Sequence, residues 1–339
     1  MAANIRDVAK AAGVSVATVS KVLNGYTTVS QKTKEKVLGI VRDLDFQPNA
    51  AARSLVGQRS MTLGVYLTTG LTHPFFSNIL AGMEQGLKAR GYDLIYLAQL
   101  SYGSKEYNLV RHCRTRNVEG IVVFGFSHEE MNIEELIESR IPSVFIDLDV
   151  KGPRAGYVSS DNVGGIEQAV RYLHGLGHTR IGLISDLPDT YVGRLRLVGY
   201  RSGLRAAGLP YAEETVAFGD YSREQGYEAM RKLLAASRPP TAVVCCSDYG
   251  ALGAIDAITE AGLSVPNDIS VIGFDDLELA RNVRPALTTV RQDMLSIGKR
   301  SVELLDEMIH DDEYPAPAVI FPTELIERGT CAPPKTLNS

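Results

Sequence analysis

Apolar residues recur at helical spacing through the first forty-odd positions of the chain. Ile5, Val8, Ala9 and Ala12 stand at i, i+3, i+4 and i+7, one face of a short helix. Gly13 follows where a left-handed residue closes a helix. Ser15 caps a second helix over 16–24, whose apolar stripe is Val19, Val22 and Leu23. Two helices joined by a short glycine turn make a helix-turn-helix. Val16, Ala17, Ser20 and Lys21 lie off the stripe and can face a groove, and Asn24-Gly25 closes the helix. Ser30 caps a third helix over 31–44, striped by Val37, Val41 and Leu44 with Ile40 alongside. Pro48 stops that pattern. Positions 49–55, capped by Asn49, are rich in helix formers but too short to be stable alone, and 56–60 reads as a join.

From position 61 the pattern changes. Apolar, β-rich runs at 63–67, 93–97, 120–124, 143–146, 181–184, 215–218, 242–245 and 270–274 alternate with amphipathic helices at 75–90, 163–176, 194–207, 222–235 and 251–261. This alternation predicts parallel sheets covered on both faces. Some 270 residues leave room for two Rossmann-like lobes. The fold class is therefore α/β, with an all-α headpiece at 1–47, a hinge and linker at 48–60 and a two-lobe body at 61–330.

Composition sharpens this division. The chain of 339 residues carries −5 overall, but residues 1–60 carry +5 and the remainder −10. A basic end on an acidic body fits a nucleic-acid-binding module attached to something else. Cys113, Cys245, Cys246 and Cys331 form no CxxC or metal-ligand spacing, so neither metal nor cofactor is expected. With no signal-like apolar stretch near Met1 and no long apolar run, a cytoplasmic location is expected and membrane attachment is not. The sequence contains no GxGxxG at a strand-helix turn, and no GxxxxGK[ST], HExxH or GxSxG, which argues against an enzyme.

The run from Ile5 to Asn24, with Arg6-Asp7-Val8-Ala9, Gly13-Val14-Ser15 and Thr18-Val19-Ser20-Lys21-Val22-Leu23, resembles the headpiece of the lac/gal-repressor family. Pro48-Asn49-Ala50-Ala51-Ala52-Arg53-Ser54-Leu55 resembles that family's hinge. The resemblance continues through Gly177-His178-Thr179-Arg180, Arg194-Leu195-Arg196, Ser247-Asp248, Val265-Pro266 to Asp275-Asp276 and Leu287 to Asp293, as far as Arg328. It implies operator contacts by Ser15, Val16, Ala17, Thr18, Ser20, Lys21, Asn24, Asn49, Ala52, Arg53 and Leu55, with Val16, Ala17 and Lys21 as main base readers. Leu55 would wedge into the minor groove.

The same resemblance implies a body like periplasmic sugar-binding proteins, with crossovers near Asp161, 291–293 and Phe321. The N-lobe would hold about 61–160 and 292–321, and the C-lobe about 162–290 and 322–330. The implied ligand set is Phe75, Phe76, Asp147, Asp161, Arg196, Tyr221, Ser247, Asp248, Asp275 and Gln292. Carboxylates that accept from hydroxyls, an arginine that donates twice and rings that pack a sugar face suit a carbohydrate effector. Thr190 and Val192 depart from the arginine and threonine with which purine-binding members hold their base. Glu303 and Glu307 stand where other members bind a phosphorylated carrier protein through basic residues, so that partner is not expected. No leucine heptads follow Arg328, so a homodimer is expected and not a tetramer. The reading is a dimeric repressor on a pseudo-palindromic operator, released by a sugar or sugar derivative. The alternatives are corepression by a nucleoside or phosphosugar and, from another class, a solute-binding transport receptor.

Overall fold

Asn4 opens the first helix by accepting from the backbone N–H groups of Arg6 and Asp7, while Asp7 accepts from the Asn4 N–H at 2.9 Å. This reciprocal box satisfies donors that a helix start leaves unpaired. The computed structural model describes residues 3–23, 26, 28–46, 59–67, 73–97, 107–125 and 133–335. The expectations for Asn24 and for the hinge residues Asn49, Ala52, Arg53 and Leu55 lie outside the described residues. The chain divides into two units, 1–60 and 61–339.

In the first unit, α1 (Ile5–Ala12), α2 (Val16–Leu23) and α3 (Gln31–Asp43) close around Val8, Ala9, Ala12, Val19, Val22 and Val37. Gly13 takes φ 64° at the α1 C-cap, and Ser15 and Ser30 accept from the N–H groups of Thr18 and Thr33. Leu44 departs from the expected stripe. It is the C-cap of α3 and is exposed, because the helix ends before it and helical spacing no longer sets its direction.

The second unit holds two six-stranded sheets. The first comprises β1 (Thr62–Leu67), β2 (Asp93–Tyr96), β3 (Gly120–Phe124), β4 (Ser143–Ile146), β5 (Ala155–Ser160) and β11 (Ala318–Phe321), in the order β11-β5-β4-β3-β1-β2. All its pairs are parallel. The second comprises β6 (Ile181–Asp186), β7 (Val216–Gly219), β8 (Ala242–Cys245), β9 (Ser270–Asp275), β10 (Thr288–Arg291) and β12 (Glu324–Ile326), in the order β12-β10-β9-β8-β6-β7. Only the β10–β12 pair is antiparallel there. The two orders match position for position, so β4 and β9 are equivalent strands.

Between strands run α4 (Pro74–Arg90), α5 (Leu109–Thr115), α6 (Ile133–Glu138), α7 (Asn162–Gly175), α8 (Tyr191–Ala206), α9 (Arg223–Leu234), α10 (Asp248–Glu260), α11 (Glu278–Asn282) and α12 (Met294–His310). The helices α4 and α12 pack on each other, as do α7 with α8 and α9 with α10. Gly91, Gly177, Gly208 and Gly262 all have positive φ just past a helix. The chain passes between sheets after Ser160, Arg291 and Phe321. Among the described residues, no helix is long and apolar enough to cross a membrane.

Each sheet has apolar cores on both faces, and two of the cores bridge the lobes. Tyr191 and Val192, at the start of α8, join the cluster of Phe145, Leu148 and Tyr157. Leu277, just past β9, joins that of Phe76, Ile146 and Met294. A cleft lies between these contacts, where strands of both sheets end.

Candidate functional site

Parallel strands deliver their C-terminal ends to one edge of a sheet, and ligands of open α/β folds bind there. Asp147 directly follows β4, and Asp275 ends the equivalent strand β9. Both leave their strands with positive φ, 55° and 119°, and Asp276 follows at 57°. Left-handed backbone is strained for these residues, and such strain gathers at functional sites. The two carboxylates line one cavity of about 300 Å³ between the lobes.

Seven of the ten candidate ligand residues line this cavity: Phe75, Phe76, Asp147, Arg196, Tyr221, Asp275 and Gln292. The other three stand outside its lining. Asp161 caps α7 by accepting from the Gly164 N–H at 2.8 Å. Ser247 caps α10 and donates to the carbonyl of Tyr221 at 3.2 Å. Asp248 is fully buried and accepts from the Leu277 N–H at 2.7 Å and the Thr289 hydroxyl at 2.5 Å. Each is spent on local structure, a use that residue type alone does not reveal. The lining also includes His73, Phe124, Val192, Asp220 and Ser222, which were not among the candidates. Their places were findable, since His73 caps the helix that carries Phe75 and Phe76 in its first turn, and Asp220 and Ser222 flank Tyr221.

The walls divide by chemistry. Phe76 meets Phe75 and Phe124 edge to face, each at 5.5 Å between centroids, and forms an aromatic side. Arg196 also lines the cavity, and its guanidinium lies 4.0 Å from the Phe274 ring centroid and 5.9 Å from that of Tyr221. Its Nε donates to Asn162 at 2.9 Å, and Nη1 donates to the carbonyl of Cys246. Burial works against the Arg196 charge, yet nearby groups, Asp275 and Asp147 among them, hold its pKa above the ordinary value.

Burial also raises both acids. The Asp147 carboxyl is pushed up although the Ser159 hydroxyl donates to it at 2.6 Å. Asp275 is pushed up to about 7, against the opposing pull of Arg196 and Gln292. Tyr221 is raised well above its ordinary range by burial and then by Asp186, to which its hydroxyl donates at 2.8 Å.

Two lining residues keep a buried polar atom without a partner among the described residues, His73 Nε2 and Gln292 Oε1. The Phe75 N–H donates to His73 Nδ1 at 3.2 Å, so the neutral ring carries its proton on Nε2. Burial lowers the His73 pKa and favours that neutral ring. The cavity thus combines aromatic walls, two carboxylates, one fixed cation and unmatched polar atoms. No cluster of metal-ligating side chains occurs among the described residues.

A helix-turn-helix unit joined to a two-lobe body with a largely apolar cleft that holds a few charged groups defines a DNA-binding regulator that responds to a small molecule. Residues 4–49 match the bacterial regulatory proteins of the lacI family, and residues 170–331 match the periplasmic binding protein-like domain. The HTH-type transcriptional repressor PurR of Haemophilus influenzae is 35% identical over 315 residues, 92% of this chain and 93% of its own length. The structure of the lac repressor dimer bound to operator and the anti-inducer ONPF is similar at TM-score 0.86 and 29% identity, covering 98% of this chain and 100% of that one. The complex of the transcriptional regulator CelR with cellobiose is similar at TM-score 0.75 and 30% identity, covering 97% and 99%. The chain belongs to the lacI family and is a DNA-binding transcriptional repressor.

Proposed function

We propose that the chain represses carbohydrate-utilisation genes as a homodimer on a pseudo-palindromic operator, and that a sugar or sugar derivative in the cleft releases it. The observation that carries this reading is one cavity lined by the carboxylates of Asp147 and Asp275, by Arg196 and by the aromatic residues Phe75, Phe76 and Tyr221. Hydroxyl donors meet the carboxylates, ring C–H groups meet the phenyl faces, and Arg196 donates to ligand oxygens.

Positions 190 and 192 support the same reading. The Thr190 hydroxyl donates to Asp186 at 2.9 Å and caps α8, while Val192 gives the cavity an apolar side chain. On the DNA side, Ser15, Val16, Ala17 and Lys21 are exposed on or just before α2. We assign base contacts to Val16, Ala17 and Lys21, with Ser15, Thr18 and Ser20 supporting them. The hinge residues complete the set. The dimeric, operator-bound lac repressor supports the assembly by similarity. The ligand acts only through different affinities for the two lobe arrangements.

The relatives named PurR favour a second reading, corepression by a purine. One experiment separates the two. Thermal shift and operator binding are measured with ribose, glucose, galactose and cellobiose, and with hypoxanthine and guanine. A sugar that raises the melting temperature and weakens operator binding supports induction. A purine that raises it and strengthens operator binding replaces that reading with corepression.

A further inference from the structure

An acid ends the apolar strand β6 just behind the cavity wall. Asp186 is 6% exposed and is not among the cavity-lining residues. Its Oδ2 accepts from the Tyr221 hydroxyl at 2.8 Å and from the Thr190 hydroxyl at 2.9 Å, and Oδ1 accepts from the Leu187 N–H at 2.8 Å. Both hydroxyl donors belong to segments that build the cavity. Tyr221 belongs to the lining, and its carbonyl accepts from the Ser247 hydroxyl at 3.2 Å. Thr190 begins α8 by accepting from the Gly193 N–H at 3.0 Å, and that helix carries Val192 and Arg196 into the lining.

One carboxylate therefore ties together a strand end, a helix start and a ring. A tyrosine in a cavity wall can offer a ligand either its hydroxyl or its face, and the choice depends on what holds the hydroxyl. Here the hydroxyl is drawn toward a group outside the lining. The Thr190 hydroxyl is shared between the same oxygen and the Leu187 carbonyl, each at 2.9 Å. A hydrogen bond to a charged acceptor is stronger than one between neutral groups, so neither donor leaves it readily.

We propose that Asp186 is a specificity-determining positioning residue: it turns the Tyr221 hydroxyl out of the cavity, so that the ligand meets the aromatic face, and it withdraws the Thr190 hydroxyl from recognition. A ligand is then read on this side by ring stacking and by Arg196, and no hydroxyl contact with Tyr221 or Thr190 takes part. On this side the cavity then offers a stacking face, which suits the apolar face of a pyranose as the sugar reading has it, and offers no hydroxyl to a ligand edge that needs one. The selectivity half rests on the sugar reading above, and the positional half does not.

The test uses the full chain with ¹³Cζ-labelled tyrosine, in the wild type, Asp186→Asn, Asp186→Ala and Tyr221→Phe. The Tyr221 resonance is the one missing from Tyr221→Phe. In the wild type it titrates well above the ordinary tyrosine range. Asp186→Ala removes a neighbouring charge and a hydrogen bond, so titration begins at lower pH. An unchanged titration in both Asp186 variants overturns the lock.

Affinities for ribose, glucose and cellobiose are then measured, with hypoxanthine as counter-probe. Tyr221→Phe weakens sugar binding by severalfold, up to the loss seen in Asp186→Ala, because it breaks the same orienting bond while taking no hydrogen bond from the ligand. Asp186→Ala weakens sugar binding by about tenfold, and by less in the Tyr221→Phe background, as expected for residues acting through one bond. Asp186→Asn, which keeps an acceptor oxygen, restores most of the loss. A loss in Tyr221→Phe clearly greater than that in Asp186→Ala, or additive effects of the two changes, overturns the proposal. If no sugar binds the wild type, the sugar reading fails, and the tyrosine titration still decides the lock.

Discussion

Nε2 of Gln292 donates to Oδ1 of Asp275 at 2.7 Å, joining the end of β9 to the crossover that leads into α12. The bond fixes one carboxylate oxygen at the edge of the cavity and leaves Oε1 of Gln292 buried without a partner among the described residues. A carboxylate held this way, beside Arg196, accepts best when ionised, so the protonation of Asp275 governs what the cavity can bind.

Effector binding therefore depends on pH near neutrality. Asp275 is raised to about 7, first by burial. If the ligand donates hydroxyls to the ionised form, affinity falls below that pH, approaching tenfold per unit for one proton. Stability runs the other way. Between about pH 4 and 7 folded Asp275 holds a proton that the unfolded chain has released, so its contribution to stability declines as pH rises through that window. Asp275→Asn should flatten both profiles and raise the melting temperature at neutral pH while weakening effector binding. Calorimetric titration and thermal unfolding from pH 5.5 to 8.5 check this, and a pH-independent affinity in the wild type would remove Asp275 as the hydroxyl acceptor.

Arg196→Lys keeps the charge but loses the planar fork that reaches Asn162 and the carbonyl of Cys246 and stacks on Phe274. A lost charge-assisted hydrogen bond costs about 1.5–3 kcal/mol, so effector affinity should fall roughly 10- to 100-fold. The headpiece is untouched, so the variant should bind operator as the wild type does and fail to respond to effector. Fluorescence anisotropy on labelled operator, with and without the effector, measures both properties at once.

The headpiece and most of the body were legible because their periodicity is strong, and the missed strands show where that signal ends. In β10, Thr288 and Thr289 look polar yet are fully buried, because the Thr289 hydroxyl is used by Asp248 and that of Thr288 accepts from the Arg328 N–H. Gly156 interrupts the apolar run of β5, because Pro317 approaches too closely for any side chain there. Edge strands β11 and β12 are short and half exposed, so they carry little apolar pattern. In the site, Asp147, Arg196, Asp275 and Gln292 were reached through family resemblance. Asp186 was not, because its role lies in whom it bonds and leaves no mark on spacing.

Close backbone approach between α4 and α12 makes two glycines obligatory. A Cβ on Gly298 would lie 1.9 Å from the Ile79 carbonyl oxygen, and one on Gly82 would lie 2.1 Å from that of Leu295. Both obstacles are backbone, so the helices themselves must part. Gly298→Ala should cost about 1–3 kcal/mol, the usual range for overpacking, despite alanine's better helix propensity. Alanine at Gly175, where nothing lies within 4 Å, is the control and should be neutral or stabilising. Urea midpoints for the two variants decide this, and equal midpoints would contradict the close packing of these helices.

Operator recognition should divide between charge and shape on the surface of α2. Val19 and Val22 are buried in the headpiece core, which leaves Val16, 41% exposed, beside exposed Ala17 and Lys21. Phosphate contacts release counterions, so operator affinity should fall on the order of 10³-fold between 50 and 200 mM salt. Lys21→Ala should reduce that salt slope by about one if the ammonium meets a phosphate, and leave it unchanged while relaxing one base preference if it reads a base edge. Val16 can offer only apolar contact, which suits a thymine methyl. Val16→Ser should therefore cost about 1–3 kcal/mol at a single base pair without changing the salt slope. Binding to operators randomised one position at a time, at two salt concentrations, separates these effects. A Val16 substitution that weakens all sequences equally would remove it from direct readout and move the specificity to other residues.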